Sequence, residues 1–216
     1  MAADLADRVT SVGDRLQAGF LGTRALILGL AEHGYVDLAY RVITGPERPS
    51  WGYMVDQGAT TVWERWDSDE KVGSGMNSLT HSPFSLVSEW FYHVLGGIAY
   101  DRAYAERREL TLRPSIPSAL DEVRASVERP YGTIRSAWEC SDGGIDFEVT
   151  IPGNLTGRLA LPVTENATLL YQNERFPIDS IEPTPGGDAP SLEDGRAVVH
   201  VEPGNHRLRA EPAPGN

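Results

Sequence analysis

The hydrophobic period of this chain changes once, near residue 104, and that change limits the fold more than any other feature. Before it, apolar residues recur at helical spacing. Leu5, Val9, Val12 and Leu16 fall on one face. Ala25 to Ala31 is nearly continuous apolar sequence, which marks a helix buried on most sides. Thr23 is its expected N-cap, and Gly34 can end it in the left-handed conformation. A short helix is predicted around Val36 to Ile43. Pro46 and Pro49 make Gly45 to Ser50 a loop. A longer helix follows, with Ser82 as N-cap and Pro83 at its first position. Phe84, Val87, Phe91 and Val94 line its face, and Gly96-Gly97 stops it.

After residue 104 the texture differs. Glu106 to Pro117 reads as a charged, proline-bearing crossover. Beyond it the period is two: Ile145, Phe147, Val149 and Ile151 alternate with polar residues. So do Leu159 and Leu161, Leu169 and Tyr171, and Ala197, Val199 and Val201. Pro130-Tyr131-Gly132, Asp142-Gly143-Gly144, Pro152-Gly153-Asn154 and Gly204-Asn205 are turn signals between these runs. Short strands at regular spacing predict an antiparallel β-sandwich. The Pro- and Gly-rich stretch Asp179 to Asp194 is expected to interrupt it as a long loop.

Composition removes several function classes. The formal net charge is −12, which repels phosphate backbones and argues against a nucleic-acid partner. The single cysteine, Cys140, excludes an internal disulfide and a multi-cysteine zinc site. No apolar run reaches the length of about 18 residues that a membrane-spanning helix needs. Met1-Ala2-Ala3-Asp4-Leu5 has no basic or apolar leader pattern, which favours a cytoplasmic location. No paired histidines stand at metal-ligand spacing and no glycine-rich phosphate loop occurs, so neither metal nor cofactor is expected.

The chemistry-bearing residues concentrate between 51 and 81. Three of the five tryptophans, Trp51, Trp63 and Trp66, lie together with Asp56, Glu64 and Asp67. Indole faces stack on sugar C–H groups, and carboxylates accept hydroxyl hydrogen bonds or move protons. The same composition also describes a tryptophan-rich helix junction that is simply core. Glu64, flanked by Trp63 and Trp66, suits a general base, but an ion pair with Arg65 or another arginine is the plainer alternative. His81 stands before a helix start, where it can meet a sugar hydroxyl or cap the loop.

The order of motifs goes further. Pro49-Ser50-Trp51-Gly52-Tyr53-Met54, then Gly58-Ala59-Thr60-Thr61-Val62-Trp63-Glu64-Arg65-Trp66-Asp67, resembles a signature of the α-L-rhamnosidases of glycoside hydrolase family 78. Met76-Asn77-Ser78-Leu79-Thr80-His81, then Phe84, Val87, Glu89 and Trp90, matches as well. So do Gly19-Phe20-Leu21-Gly22-Thr23 and Asp37-Leu38-Ala39-Tyr40-Arg41 upstream. Tyr131-Gly132-Thr133-Ile134 and Trp138 resemble the family's C-terminal β-domain more diffusely.

The resemblance implies a fold of two parts. Residues 1–104 would be the C-terminal part of an (α/α)6 barrel, and residues 105–216 an antiparallel β-sandwich. It implies an inverting glycosidase acting on L-rhamnose-containing glycosides, with Glu64 as general base. His81, Trp63 and Trp66 would bind the sugar. The family's general acid lies in an acidic and aromatic motif well upstream, and no such motif precedes residue 51 here. Thr80 and Ser82-Pro83 also depart from the usual family residues around His81. The chain is therefore expected to hold an incomplete site, or to be a non-catalytic carbohydrate-binding fragment. Its barrel edges, Ala25 to Ala31 in particular, are expected to be exposed, so that the chain alone is poorly stable, self-associates or works only with the missing portion supplied.

Overall fold

The computed structural model describes residues 2–71, 75, 77–99, 108–164, 166–178 and 190–212. It divides into two compact units, residues 1–91 and residues 92–216. The first is helical and the second is built from two β-sheets.

The helical unit opens with α1 (Ala2–Ser11) and α2 (Phe20–Glu32), followed by α3 (Val36–Thr44) and α4 (Trp51–Asp56). Helix α1 buries Ala6 and Val9 but ends before Val12, which is 40% exposed. The predicted face is therefore cut short, although Leu16 is buried from the loop beyond it. Helix α2 begins four residues earlier than expected, with Gly19 at the N-cap in place of Thr23. Thr23 sits inside the first turn, fully buried, and its hydroxyl donates to the carbonyls of Ala18 and Gly19. Its side chain thus bonds backward along the chain and does not cap the helix. Gly34 ends α2 as foreseen, with φ +87°. Tyr35 N donates to Leu30 O and Gly34 N to Ala31 O, the paired bonds of a Schellman motif.

The apolar run of α2 is not left bare. Leu26, Ile27, Leu28, Leu30 and Ala31 are all buried, which corrects the expectation of an exposed edge there. Among the described residues, the large apolar side chains exposed in this unit are Val12, Leu21, Val55, Leu79 and Phe91 instead. The helix predicted from Ser82 is three short pieces in series. A 3₁₀ turn over Ser82–Leu86 leads into α5 (Val87–Trp90) and then a π-helical turn over Phe91–Leu95. His81, not Ser82, takes the N-cap position. The change of winding brings Trp90 inward, fully buried, and leaves Phe91 42% exposed. Trp90 Nε1 donates to Ile27 O (3.1 Å), and Arg24 of α2 pairs with Glu89. Two residues of the second motif block therefore bind α5 to α2.

The second unit contains two sheets. One has five strands: β1 (Ile98–Ala99), β2 (Glu109–Leu112), β6 (Thr156–Pro162), β10 (Arg196–Val201) and β9 (Ser191–Glu193), in that order. The other has six, in the order β3 (Glu122–Arg129), β4 (Gly132–Ser141), β5 (Gly144–Ile151), β11 (Gly204–Glu211), β7 (Thr168–Tyr171) and β8 (Glu174–Pro177). Every strand pair among the described residues is antiparallel except β2 with β6, which run parallel. The period-two runs fall as read: Phe147, Val149, Ile151, Leu159, Leu161, Leu169, Ala197, Val199 and Val201 enter one apolar core. Turns at Asp142-Gly143, Gln172-Asn173 and Asp194-Gly195 take positive φ at both residues, as tight hairpins with the twist of the strands require. Gly204-Asn205 begins β11 and is not a turn. Strand β9 occupies the end of the stretch expected to be a loop, whose residues 179–189 lie outside the described residues. So do residues 100–107, where the period changes.

Trp138 is the largest anchor of this unit. Its indole is 2% exposed and donates Nε1–H to Leu95 O (2.9 Å). Gly97 allows a separate close approach, by Arg113-Pro114: a Cβ there would lie 2.2 Å from Pro114 N. Trp138→Phe keeps most of the apolar volume but leaves the Leu95 carbonyl without its donor. The expected cost is about 1–3 kcal/mol of unfolding free energy, read from urea denaturation.

Candidate active site

The Glu64 and His81 blocks lie side by side in the helical unit. Glu64 N donates to Ser78 O (2.9 Å), and His81 N donates to Val62 O (2.8 Å). Thr61 Oγ1 adds a bond to Leu79 O. The carboxylate joins the same ladder, because Ser78 N donates to Glu64 Oε2 (2.7 Å). Ser78 is thus bound to Glu64 twice, once through its carbonyl and once through its N–H. Glu64 is half-buried, and its Oε1 accepts no hydrogen bond among the described residues.

The plainer reading of Glu64 as an ion-pair partner of Arg65 does not hold. The Arg65 guanidinium turns to Asp67, with Nε–Oδ1 at 2.9 Å and Nη2–Oδ2 at 3.4 Å. That contact holds the Asp67 carboxyl below the usual carboxylate range. His81 is half-buried, and its ring makes no capping bond to the helical turn that follows.

An aromatic cluster supports these segments. Trp51 is buried, and its Nε1 donates to Phe84 O (2.9 Å). Trp66 meets the Trp51 ring edge-on at 5.2 Å between centroids and lies against Phe84 at 4.0 Å. Trp66 remains half-buried, whereas Trp63 is only 5% exposed. Ser50 caps α4 by accepting from Tyr53 N (2.9 Å). Gly52 is demanded by close approach: a Cβ would stand 2.3 Å from Thr44 O. The motif Ser50-Trp51-Gly52 therefore encodes how α4 seats on the end of α3.

Sequence reasoning passed over several polar residues here. Tyr53 donates its hydroxyl to Asp69 Oδ2 (2.8 Å), and this bond pushes the phenol's pKa up. Arg48 lies over the Tyr53 ring at 5.4 Å and pairs with Glu70 (3.0 Å). Asp69 Oδ1 is buried without a partner. Ser68, fully buried, donates to Asn77 Oδ1 (2.6 Å) and accepts from Arg65 N (3.1 Å). These contacts join residues well separated in the chain, and periodicity carries no signal for them. Asp56 is exposed and far from this ladder in role: it borders an apolar groove of about 490 Å³ lined by Trp51, Met54, Val55, Val62, Val87 and Phe91. Neither Glu64 nor His81 lines that groove. Among the described residues no group of His, Cys, Asp and Glu is arranged to hold a metal, and no helix is long and apolar enough to cross a membrane.

Comparison with known proteins places both parts of the chain in one family. Residues 1–95 match the bacterial alpha-L-rhamnosidase 6 hairpin glycosidase domain, and residues 105–175 match the bacterial alpha-L-rhamnosidase C-terminal domain. An alpha-L-rhamnosidase of Formosa agariphila is 30% identical over 213 residues, covering 96% of this chain and 22% of that protein. The structure of the alpha-L-rhamnosidase from Dictyoglumus thermophilum superimposes with a TM-score of 0.81 at 25% identity, over 96% of this chain and 22% of its own. The Streptomyces avermitilis alpha-L-rhamnosidase complexed with L-rhamnose gives 0.79 at 31% identity, over 96% of this chain and 19% of its own. The chain thus spans about a fifth of the length of the relatives it matches. With both domain models matched in order along its length, the chain belongs to the bacterial α-L-rhamnosidase family.

Proposed function

We propose that this chain supplies the general-base side of an inverting α-L-rhamnosidase site, with Glu64 as the base. The observation that carries this reading is the ladder that places the Glu64 carboxylate beside the segment bearing His81. Glu64 Oε1 takes a proton from water while the water oxygen bonds to the anomeric carbon. The glycosidic C–O bond breaks on the opposite face, and its electron pair leaves with the aglycone oxygen. A general acid protonates that oxygen. In inverting enzymes the two carboxyls stand roughly 6.5–9.5 Å apart, which leaves room for the water. The acid is assigned to residues outside this chain, since no acidic and aromatic motif precedes residue 51.

His81 donates to a sugar hydroxyl. Trp66 offers part of an indole face to the ring, and Trp63 backs the wall from beneath. L-Rhamnose carries a methyl group that such a wall accepts. The proposed substrates are glycosides with a terminal α-L-rhamnosyl group, in keeping with the L-rhamnose bound by the Streptomyces avermitilis relative. The division of the chain into a catalytic portion up to residue 104 and a β-domain from residue 105 is part of the same proposal.

The test is release of aglycone from an aryl α-L-rhamnoside. It is run with the chain itself and with a chimera in which the chain replaces the matching part of the Streptomyces avermitilis enzyme. The chimera is expected to turn over, and Glu64→Gln to lower its kcat by about 10²–10⁴-fold, the usual contribution of a general base. A chimera that is active and indifferent to Glu64→Gln would refute the assignment. The chain alone is expected to be inactive, so turnover by it would place an acid within these residues.

Self-association belongs to the same proposal. Leu21 is 95% exposed, Val55 69% and Phe91 42%, and Val55 and Phe91 both line the apolar groove. Light scattering is expected to show mass rising with concentration, and Val55→Glu to reduce it. A wild-type chain that stays monomeric at every concentration would contradict this.

A further inference from the structure

The Ser68 hydroxyl bridges a peptide N–H and a side-chain amide. It accepts from the N–H of Arg65, the residue after Glu64. It donates to Asn77 Oδ1, on the residue before Ser78. Asn77 returns the contact, donating Nδ2–H to Ser68 O (3.3 Å). Ser68 N also donates to Arg65 O (3.3 Å), closing the turn beyond Glu64. Ser78 Oγ then secures the next turn, accepting from Thr80 N (3.1 Å) and donating to Thr80 O (2.7 Å). The Ser68 side chain has no solvent exposure, whereas the Ser78–Thr80 bonds lie at the surface.

The consequence is geometric. Glu64 is held from behind through Arg65, and Ser78 is held from behind through Asn77. The bond from Ser78 N to Glu64 Oε2 is the product of the two. A glutamate side chain has three rotatable bonds, and a free one would spread its carboxylate over many rotamers at a cost of up to about 2 kcal/mol when fixed. Fixing Oε2 on a backbone amide leaves Oε1 in one position, which is what proton transfer from a single water demands.

We propose that Ser68 and Asn77 are positioning residues of the general base, forming a buried clamp that aims the Ser78 N–H at Glu64 Oε2 and so presents Oε1 to water. This rests on the reading of Glu64 as base, but its test does not use hydrolysis. Neither Ser68 nor Asn77 touches the reacting atoms. Each acts through the peptide group beside it.

The experiment is acid titration of the ¹⁵N-labelled full chain, following the Ser78 amide proton. In the wild type this resonance is expected to move as Glu64 is protonated, and in Glu64→Gln that movement is expected to vanish. Ser68→Ala and Asn77→Ala are expected to lose at least half of the movement. Asn77→Asp, which keeps an acceptor for the Ser68 hydroxyl but no donor, is expected to fall between. The indole N–H signals of Trp51 and Trp90, bonded to Phe84 O and Ile27 O, report that the fold persists. Because Asn77 is only half-buried, its variants remain informative if Ser68→Ala fails to fold. Full movement of the Ser78 amide in folded Asn77→Ala would overturn the proposal, as would a wild-type amide that ignores Glu64. Loss of the base assignment would appear instead in the hydrolysis assay, with this titration unchanged.

Discussion

The proposed site depends on one stretch of pairing, in which residues 61–64 are hydrogen-bonded to residues 78–81. Without it the Glu64 and His81 blocks are two loops with no fixed relation. With it, Glu64 N and Ser78 O, Ser78 N and Glu64 Oε2, and His81 N and Val62 O fall into register. Irregular backbone of this kind is costly to bury unless its polar groups find partners. The clamp around Ser68 and the bonds from Thr61 and Ser78 supply those partners from side chains. A site on such a segment is as precise as the contacts behind it.

Those contacts are in turn carried by aromatic packing. Trp51 reaches Phe84, Trp66 stacks on Phe84, and the turn starting at Ser82 follows directly from His81. Trp90 and Glu89 then hold the continuation to α2. Edge-on and tilted aromatic pairs are worth about 0.5–1.5 kcal/mol each beyond their burial, and they constrain ring orientation as well as distance. The tryptophan-rich window therefore serves both readings offered by its composition. Trp51 and Trp63 are core, while Trp66 is core on one side and open on the other.

Much of this was legible in the sequence. The helical spacing up to Trp90 falls mostly in helices, and the alternating residues of β5, β6, β7 and β10 enter the core as read, although the second unit begins at Tyr92 and strand β1 precedes the switch of period. Local geometry was less legible where a side chain chooses between partners. Thr23 turns backward to Ala18 and Gly19, so the capping role it could have taken goes to Gly19. The run from Ser82 has helical spacing throughout, yet its winding changes from 3₁₀ to α to π. A periodic pattern cannot distinguish these, and the shift moves Trp90 inside and Phe91 out. The parallel pairing of β2 with β6 is a topological fact that alternation leaves open. For the site, the resemblance named Glu64 and His81, but not Ser68 or the Tyr53–Asp69 pair. Their partners are remote in sequence, and single hydroxyl or amide side chains leave no pattern to read.

The central claim is that the Glu64 and His81 segments form a single surface for a rhamnosyl group. Its most direct test is titration of L-rhamnose into the ¹⁵N-labelled chain, with D-glucose as the control sugar. The account predicts concentration-dependent shifts confined to Glu64, Ser78, His81 and the Trp66 indole, reduced in His81→Ala and absent with D-glucose. Shifts that cluster elsewhere, or that leave Glu64 and His81 unmoved while other residues saturate, would contradict it.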